Sequence, residues 1–314
     1  MSDVKALVVA AEANEARVIE RRKVIEAAIT DAGGSVVDSA EANTVIWLRS
    51  AEPKALQQLL QDNAGVRWAQ LPSAGIESFV TPELLAGEVT FTCAKGAYAE
   101  EVAEHALMLT MGVLRDVGRQ VRAAEWLEVE PSTLHRKRVT VLGGGGITTE
   151  YLRLIEPFAC VTRVLRKSQE PVLGASQTLH TSQLPDVLPE TDVLVLALAL
   201  TPESRGIIGS KELALLPEHA VVVNVARGAH IDSEALVDAL QSSSIAGAGL
   251  DVTDPEPLPT GHPLWEMPNV LVTSHCADSY VGCTEALAKR VGDNVALRLQ
   301  DEQLIGIVDP ASSY

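Results

Sequence analysis

The sequence predicts an α/β protein made of two parallel-sheet units, and three observations carry that prediction. Short apolar runs alternate with helical periodicity along the whole chain, the pattern of strands joined by helical crossovers. The length of 314 residues exceeds what one core usually supports, at roughly 100–200 residues per domain. An apolar run from Val139 to Leu142 passes straight into four glycines at 143–146, so a second strand–turn–helix series starts well inside the chain.

The elements follow in order. Residues 6–10 form a strand candidate, 15–32 have helical periodicity that stops at Gly33-Gly34, and 45–48 read as a second strand. Residues 53–61 predict a helix with Pro53 at its start, followed by strands at 66–71 and 89–93. From 100 to about 124 the pattern predicts one long helix, with Val102, Ala106, Leu109, Val113 and Val117 on one face. After the basic tract Arg136-Lys137-Arg138, strands are expected at 139–142, 161–165, 193–200, 221–225, 247–251 and 270–273. No short-period repeat or low-complexity segment interrupts this order.

Composition narrows the function classes. Lys and Arg total 25 against 42 Asp and Glu, a formal net charge of −17, which repels nucleic acid and anionic membrane surfaces. An anionic ligand then needs local Arg, Lys or helix N-termini. The longest apolar stretch, 193–200, falls far short of the ~18 residues a membrane helix needs. The start of the chain, with Asp3, an apolar run at 6–11 and Glu12, lacks the form of a secretory signal, so a cytoplasmic location is expected. Cys93, Cys160, Cys276 and Cys283 include no CxxC pair, so reduced thiols and no metal site are expected.

A strand, a glycine run and a helix together make a pyrophosphate site, because small residues let backbone N–H groups approach phosphates at a helix N-terminus. Gly143 and Gly145 fill the first two positions of GxGxxG, and Thr148 stands at the third. A plain glycine-rich turn is the alternative reading. Nucleotide folds selecting NAD usually carry Asp or Glu about 20 residues further on, whereas an Arg there suits a 2′-phosphate. Here Arg166 stands 23 residues after Gly143, followed by Lys167 and with no acidic residue at that strand end. The pair favours NADP(H) over NAD(H), against the alternative of a solvated basic turn.

Three later apolar runs end in polar residues: Asn224-Val225-Ala226-Arg227-Gly228, Gly249-Leu250-Asp251-Val252 with Glu256 shortly after, and Thr273-Ser274-His275. Ligands of open α/β sheets bind at the carboxyl ends of strands, where these residues can converge. Reduction of a 2-keto acid needs a forked cation for the carboxylate and a proton donor for the developing alkoxide. Arg227 and His275 suit those roles, and Glu256 beside the imidazole favours its protonated form. Cys276 reads as a small packed residue rather than a nucleophile.

These words resemble the D-isomer-specific 2-hydroxyacid dehydrogenase family over nearly the whole chain. Val102-Ala103-Glu104-His105 is similar to the family's VAEH, 200–206 (LTPESRG) to LTPETRG, and Val223 to Gly228 to VNxARG. Asp251-Val252 through Glu256-Pro257-Leu258 is similar to DVFxxEPLP, and His275 stands at the PHxxG histidine. The resemblance implies two Rossmann-like, doubly wound domains. A flavodoxin-like substrate-binding domain (1–96 and 280–314) would be split by an inserted NAD(P)-binding Rossmann domain (97–279) through which members usually dimerise.

It also implies site residues. Arg227, Glu256 and His275 would be catalytic. Gly143, Gly145, Gly146, Ile147, Arg166, Lys167, Leu198, Thr201, Ala226 and Asp251 would bind the cofactor, Asp251 on the nicotinamide side. Arg49 and the amides of Ala74 and Gly75 in the Ser73-Ala74-Gly75 loop would bind substrate. Within the family the chain looks closest to the glyoxylate/hydroxypyruvate reductases, on its short length, Trp47, the basic strand end, and Val308-Asp309 near Tyr314. Arg49-Ser50 is also similar to a loop of 3-phosphoglycerate dehydrogenases. The rival expectations are such a dehydrogenase, an NAD(P)-sensing binding protein with little turnover, and a derived protein without cofactor binding. Thr148, Ala199, Ser274 and Asp278 depart from the family pattern. Thr148 is expected to loosen the pyrophosphate turn, and Asp278 either repels cofactor phosphates or points to solvent.

Overall fold

The structure, a computed structural model, describes residues 3–10, 15–49, 52–76 and 78–309. Ala11, Glu12, Ser50 and Tyr314, on which readings above fell, lie outside them. Met1–Tyr98 with Ser279–Tyr314 form one unit and Ala99–Asp278 the other.

The first unit contains strands β1 (Lys5–Val9), β2 (Ser35–Val36), β3 (Thr44–Trp47), β4 (Trp68–Gln70) and β5 (Thr90–Thr92). Helices α1 (Ala16–Asp31), α2 (Pro53–Asp62) and α3 (Pro82–Leu85) connect them. All strands run parallel in the order β2-β1-β3-β4-β5, the flavodoxin-like arrangement. Parallel strands are buried on both faces. Trp68 therefore packs with Ile25, Ile29, Leu287 and Val291, while its neighbour Ala69 packs with Trp47, Leu56 and Phe91.

The C-terminal helix Tyr280–Leu299 is tied to this sheet by a buried polar network. Asn294 Nδ2 donates to Gln70 Oε1 at 3.1 Å, which also accepts from Thr92 Oγ1 at 2.7 Å. Trp68 Nε1 donates to Thr92 Oγ1 at 2.8 Å, and Asn294 Oδ1 accepts from the Ile305 amide at 2.7 Å. Buried amides are tolerated because each is bonded in this way.

In the second unit, α4 (Ala99–Leu114) and α5 (Val117–Arg122) precede β6 (Arg138–Leu142), α6 (Gly146–Ile155), β7 (Val161–Arg166) and β8 (Gln177–His180). Then come α7 (Leu184–Val187), β9 (Val193–Leu196), α8 (Ser210–Leu215), β10 (Val221–Asn224), α9 (Ser233–Gln241), β11 (Gly247–Leu250) and β12 (Val270–Val272). The order β12-β11-β10-β9-β6-β7-β8, parallel throughout, is the dinucleotide-fold order with one added strand. It reverses between β6 and β9, and ligands of such sheets bind outside the strand ends at that switch point.

Two expectations need correction. The single helix over 100–124 is broken at Asp116, whose φ of 55° is left-handed, so α4 and α5 are separate. The strand over 193–200 stops at Leu196, because its partners β6 and β10 turn away at Gly143 and Val225 and leave nothing to pair with. The edge strands β2 and β8 carry no apolar run and so leave no strand signal in the sequence.

Candidate active site

β6 delivers the glycine loop to the switch point. Gly143 has φ +104°, and a Cβ there would lie 2.3 Å from the Ala197 carbonyl oxygen and 2.9 Å from Leu198 Cα. Only glycine combines that backbone with that approach. Gly144 lies against Arg166, since a Cβ on it would sit 2.8 Å from Arg166 Cδ, whereas Gly145, the N-cap of α6, faces open space. An open cradle of unhindered backbone at a helix N-terminus fits a pyrophosphate. Gly146 and Ile147 open the same helix. The buried Thr148 does not loosen the turn: its hydroxyl donates to the Gly143 carbonyl at 2.8 Å and closes it.

The basic strand end borders this cradle. Arg166 reaches Glu170 at 3.6 Å, and Lys167 reaches Glu203 at 3.4 Å. Thr201 Oγ1 donates to the same Glu203 carboxylate at 2.7 Å, and these contacts, Thr201's first, hold it below the usual carboxylate range. Ser204 pins the loop by donating to the Ala199 carbonyl at 2.8 Å while accepting from the Thr201 amide at 2.8 Å. Gly143, Leu198, Arg166, Lys167 and Thr201 are therefore brought to one edge of the sheet.

The second cluster follows β10, β11 and β12. Asn224 holds the turn after β10, with Oδ1 accepting from the Ala226 amide at 3.0 Å and Nδ2 donating to the Arg227 carbonyl at 2.9 Å. A Cβ on Gly228 would lie 1.9 Å from the Thr253 carbonyl carbon, so this glycine lets the arginine turn meet the segment that carries Glu256. Arg227 Nη1 donates to the Ala226 carbonyl at 2.7 Å. His275 has φ +49°, and its amide donates to the Asp251 carbonyl at 2.8 Å. Its Nδ1 stands 2.7 Å from Glu256 Oε1, both side chains being about half exposed, at 48% and 42%. Asp278 is exposed.

Asp251 is the buried hub of this cluster. Its Oδ1 accepts from Thr273 Oγ1 at 2.6 Å and from the Cys276 amide at 3.0 Å, and its Oδ2 from the Ala277 amide at 3.2 Å. His105 of α4 lies 3.3 Å from Oδ1 and 2.9 Å from Thr273 Oγ1. Burial alone would raise the carboxyl, but hydrogen bonds from His105, Thr273 and Cys276 outweigh it and hold the group at about 2. A folded value below the unfolded one stabilises the protein above about pH 4, and that contribution is lost as pH falls through the folded value. The depression corresponds to about 2 kcal/mol. We expect denaturant unfolding to lose about that much between pH 5 and pH 2 in the wild type, and an Asp251→Asn variant to show a flatter pH dependence.

Sequence reasoning missed the hub's supports: His105 was only a letter in a motif, and Thr273 only a strand end. In the first unit, the 73–75 loop follows β4, with the Ala94 amide donating to the Ser73 carbonyl at 2.9 Å and Ser73 Oγ donating to the Gly75 carbonyl. Arg49 follows β3, pairs with Glu52 at 2.6 Å and lies over the Trp47 ring at 5.6 Å.

Fold and glycine cradle together fit a dinucleotide-binding α/β domain. Residues 105–277 match the family model for the D-isomer specific 2-hydroxyacid dehydrogenase, NAD binding domain. An uncharacterized protein in the proB 3' region of Corynebacterium melassecola is 36% identical over 79% of this chain and 84% of its own. A glyoxylate/hydroxypyruvate reductase B of Pectobacterium carotovorum subsp. carotovorum is 30% identical over 82% of this chain and 83% of its own. Among solved structures, a D-isomer specific 2-hydroxyacid dehydrogenase from Xanthobacter autotrophicus Py2, in complex with NADPH and MES, is 27% identical, superposes with TM-score 0.83 and covers 100% of both chains. The chain belongs to the D-isomer specific 2-hydroxyacid dehydrogenase family and is an NAD(P)-dependent oxidoreductase acting on CH–OH groups.

Proposed function

We propose that the chain reduces small, unphosphorylated 2-keto acids of the glyoxylate and hydroxypyruvate kind, with NADPH preferred to NADH. The observation that carries this reading is the His275–Glu256 pair at 2.7 Å, formed between the loops that follow β12 and β11. A bound reduced nicotinamide supplies the hydride. His275 gives its proton to the oxygen that becomes the alcohol, and Glu256 orients the ring through Nδ1. Arg227 grips the substrate carboxylate and so fixes which carbonyl face is presented; in the first unit the amides of Ala74 and Gly75 are proposed substrate contacts. The cofactor set is Gly143, Gly145, Gly146, Ile147, Leu198, Thr201, Ala226 and Asp251, with Arg166 and Lys167 for a 2′-phosphate.

The Pectobacterium relative is named as a glyoxylate/hydroxypyruvate reductase and the Xanthobacter structure is a complex with NADPH, which supports the same substrate and cofactor. Against a phosphorylated substrate stands the engagement of Arg49 by Glu52 and its stacking on Trp47. Each phosphate contact by a charged donor is worth about 1.5–3 kcal/mol. Arg166→Ala and Lys167→Ala are therefore expected to lower kcat/KM with NADPH by about 10–100-fold each while leaving that with NADH nearly unchanged, as initial rates with both cofactors would show.

The active species proposed is a homodimer formed through the second unit. Met108 and Met111 of α4, Val121 of α5 and the 95%-exposed Trp126 leave an apolar surface that a second copy would cover. Light scattering should give a dimer for the wild type and a larger monomer fraction for Val121→Asp.

A further inference from the structure

Helix α4, the end of β11 and the loop after β12 bring together three groups with metal affinity. One ligand atom each from His105, Asp251 and Cys276 lies within 4.8 Å of the other two. We propose that these residues form a binding site for a borderline-soft divalent cation, zinc above all, whose occupation arrests turnover at the adjacent His275.

The donor set of one nitrogen, one carboxylate oxygen and one sulfur suits zinc, whereas magnesium and calcium take oxygen alone. The ligands are graded in depth. The Asp251 side chain is 1% exposed, His105 is 13% exposed, and Cys276 lies at the surface. The inner anion is therefore preformed and the outer thiol is open to an arriving ion. Among the described residues, the salt-bridge partner of Asp251 is His105, which is charged only when protonated. Hydrogen bonds from Thr273 and from the Cys276 and Ala277 amides hold this carboxylate in place, and a metal ion would add the opposite charge.

Zinc bonds of about 2.0–2.3 Å place tetrahedral ligands roughly 3.3–3.8 Å apart, so the cluster must contract by about an ångström, and the exposed Cys276 side chain can supply most of it. Thr273 donates to Asp251 and accepts from His105 Nε2. On binding, the thiol proton leaves to solvent, the single ring proton of neutral His105 moves from Nε2 to Nδ1 through water so that Nε2 can ligate, and Thr273 keeps its bond to Asp251. Thiolate and carboxylate then neutralise the ion, and water takes the fourth position. The loop amides of Cys276 and Ala277 hang on the same carboxylate, so drawing in Cys276 displaces His275, its neighbour in sequence. This inhibitory half rests on the proposed function, whereas the binding half does not.

The test is a competition titration of metal-free full-length protein with zinc against a chromophoric chelator, beside the same titration of three variants. One zinc per chain is expected for the wild type. Outer-shell changes alone cost about 10–100-fold in metal affinity, so Cys276→Ser and His105→Asn should lose more than that, while His275→Asn keeps the site. As a second readout, zinc should slow alkylation of Cys276 in the wild type and not in His105→Asn. Failure of the wild type to take up zinc, wild-type affinity in Cys276→Ser, or loss of binding in His275→Asn but not in His105→Asn would each overturn the site. Zinc bound at one per chain with undiminished keto-acid reduction would overturn the inhibition. A wild type inactive on every keto acid would count against the proposed function and leave the binding result standing.

Discussion

Replacement of His275 by Gln is expected to lower turnover of glyoxylate or hydroxypyruvate by about 10²–10⁴, the usual worth of a positioned general acid. Three constraints aim this imidazole. Its backbone is held in a left-handed conformation with the amide bonded to the Asp251 carbonyl, and the next two amides are bonded to the Asp251 carboxylate. Its Nδ1 is committed to Glu256, which leaves Nε2 for the substrate oxygen. Glutamine fills similar space but has no proton to give near neutral pH. The side chain is about half exposed, so the melting temperature should change little. Steady-state rates should show kcat falling with KM for the keto acid nearly constant, the signature of an interaction made in the transition state. Glu256→Gln should fall between the two, because the ring keeps its proton donor and loses its orientation.

Arg227→Ala is expected to lower kcat/KM for the keto acid by about 10²–10⁴, since two charge-assisted hydrogen bonds of about 1.5–3 kcal/mol each disappear. The turn keeps the Asn224 side-chain bonds and the close approach of Gly228 to Thr253, and loses the guanidinium's bond to the Ala226 carbonyl. Arg227→Lys restores the charge without the planar fork and should recover only part of the rate. Rates measured against cofactor concentration separate the alternatives, because a substrate-binding arginine changes the KM of the keto acid and leaves that of NADPH in place. Turnover equal to wild type in Arg227→Ala would remove this residue from the site.

What could be read from the sequence had a short-range physical signal. Buried parallel strands are runs of apolar residues, so β6, β7 and β10 stand out in the sequence, and the strand-to-glycine transition marks the nucleotide edge. The strand ends point to Arg227, Asp251 and His275, which follow β10, β11 and β12, although Asp251 is buried among its own hydrogen bonds. Interactions between distant residues left no such mark. His105 lies 146 positions before Asp251, and nothing local in helix α4 tells that its imidazole supports a carboxylate under β11. The left-handed Asp116 that divides α4 from α5 is equally silent, since the apolar face runs on through both helices. Thr148 shows the opposite failure. Judged by the missing glycine, it weakens the turn, yet its hydroxyl supplies a bond that glycine cannot make.

The central claim is that this site reduces a small 2-keto acid with a nicotinamide, and its most direct test is loss of reduced-nicotinamide absorbance. NADPH and NADH should each be assayed against glyoxylate, hydroxypyruvate, pyruvate and 3-phosphohydroxypyruvate. The account predicts rapid NADPH oxidation with glyoxylate and hydroxypyruvate, slower oxidation of NADH, and little with the phosphorylated acid. Preference for 3-phosphohydroxypyruvate, or tight binding of both cofactors with oxidation of neither, would contradict it.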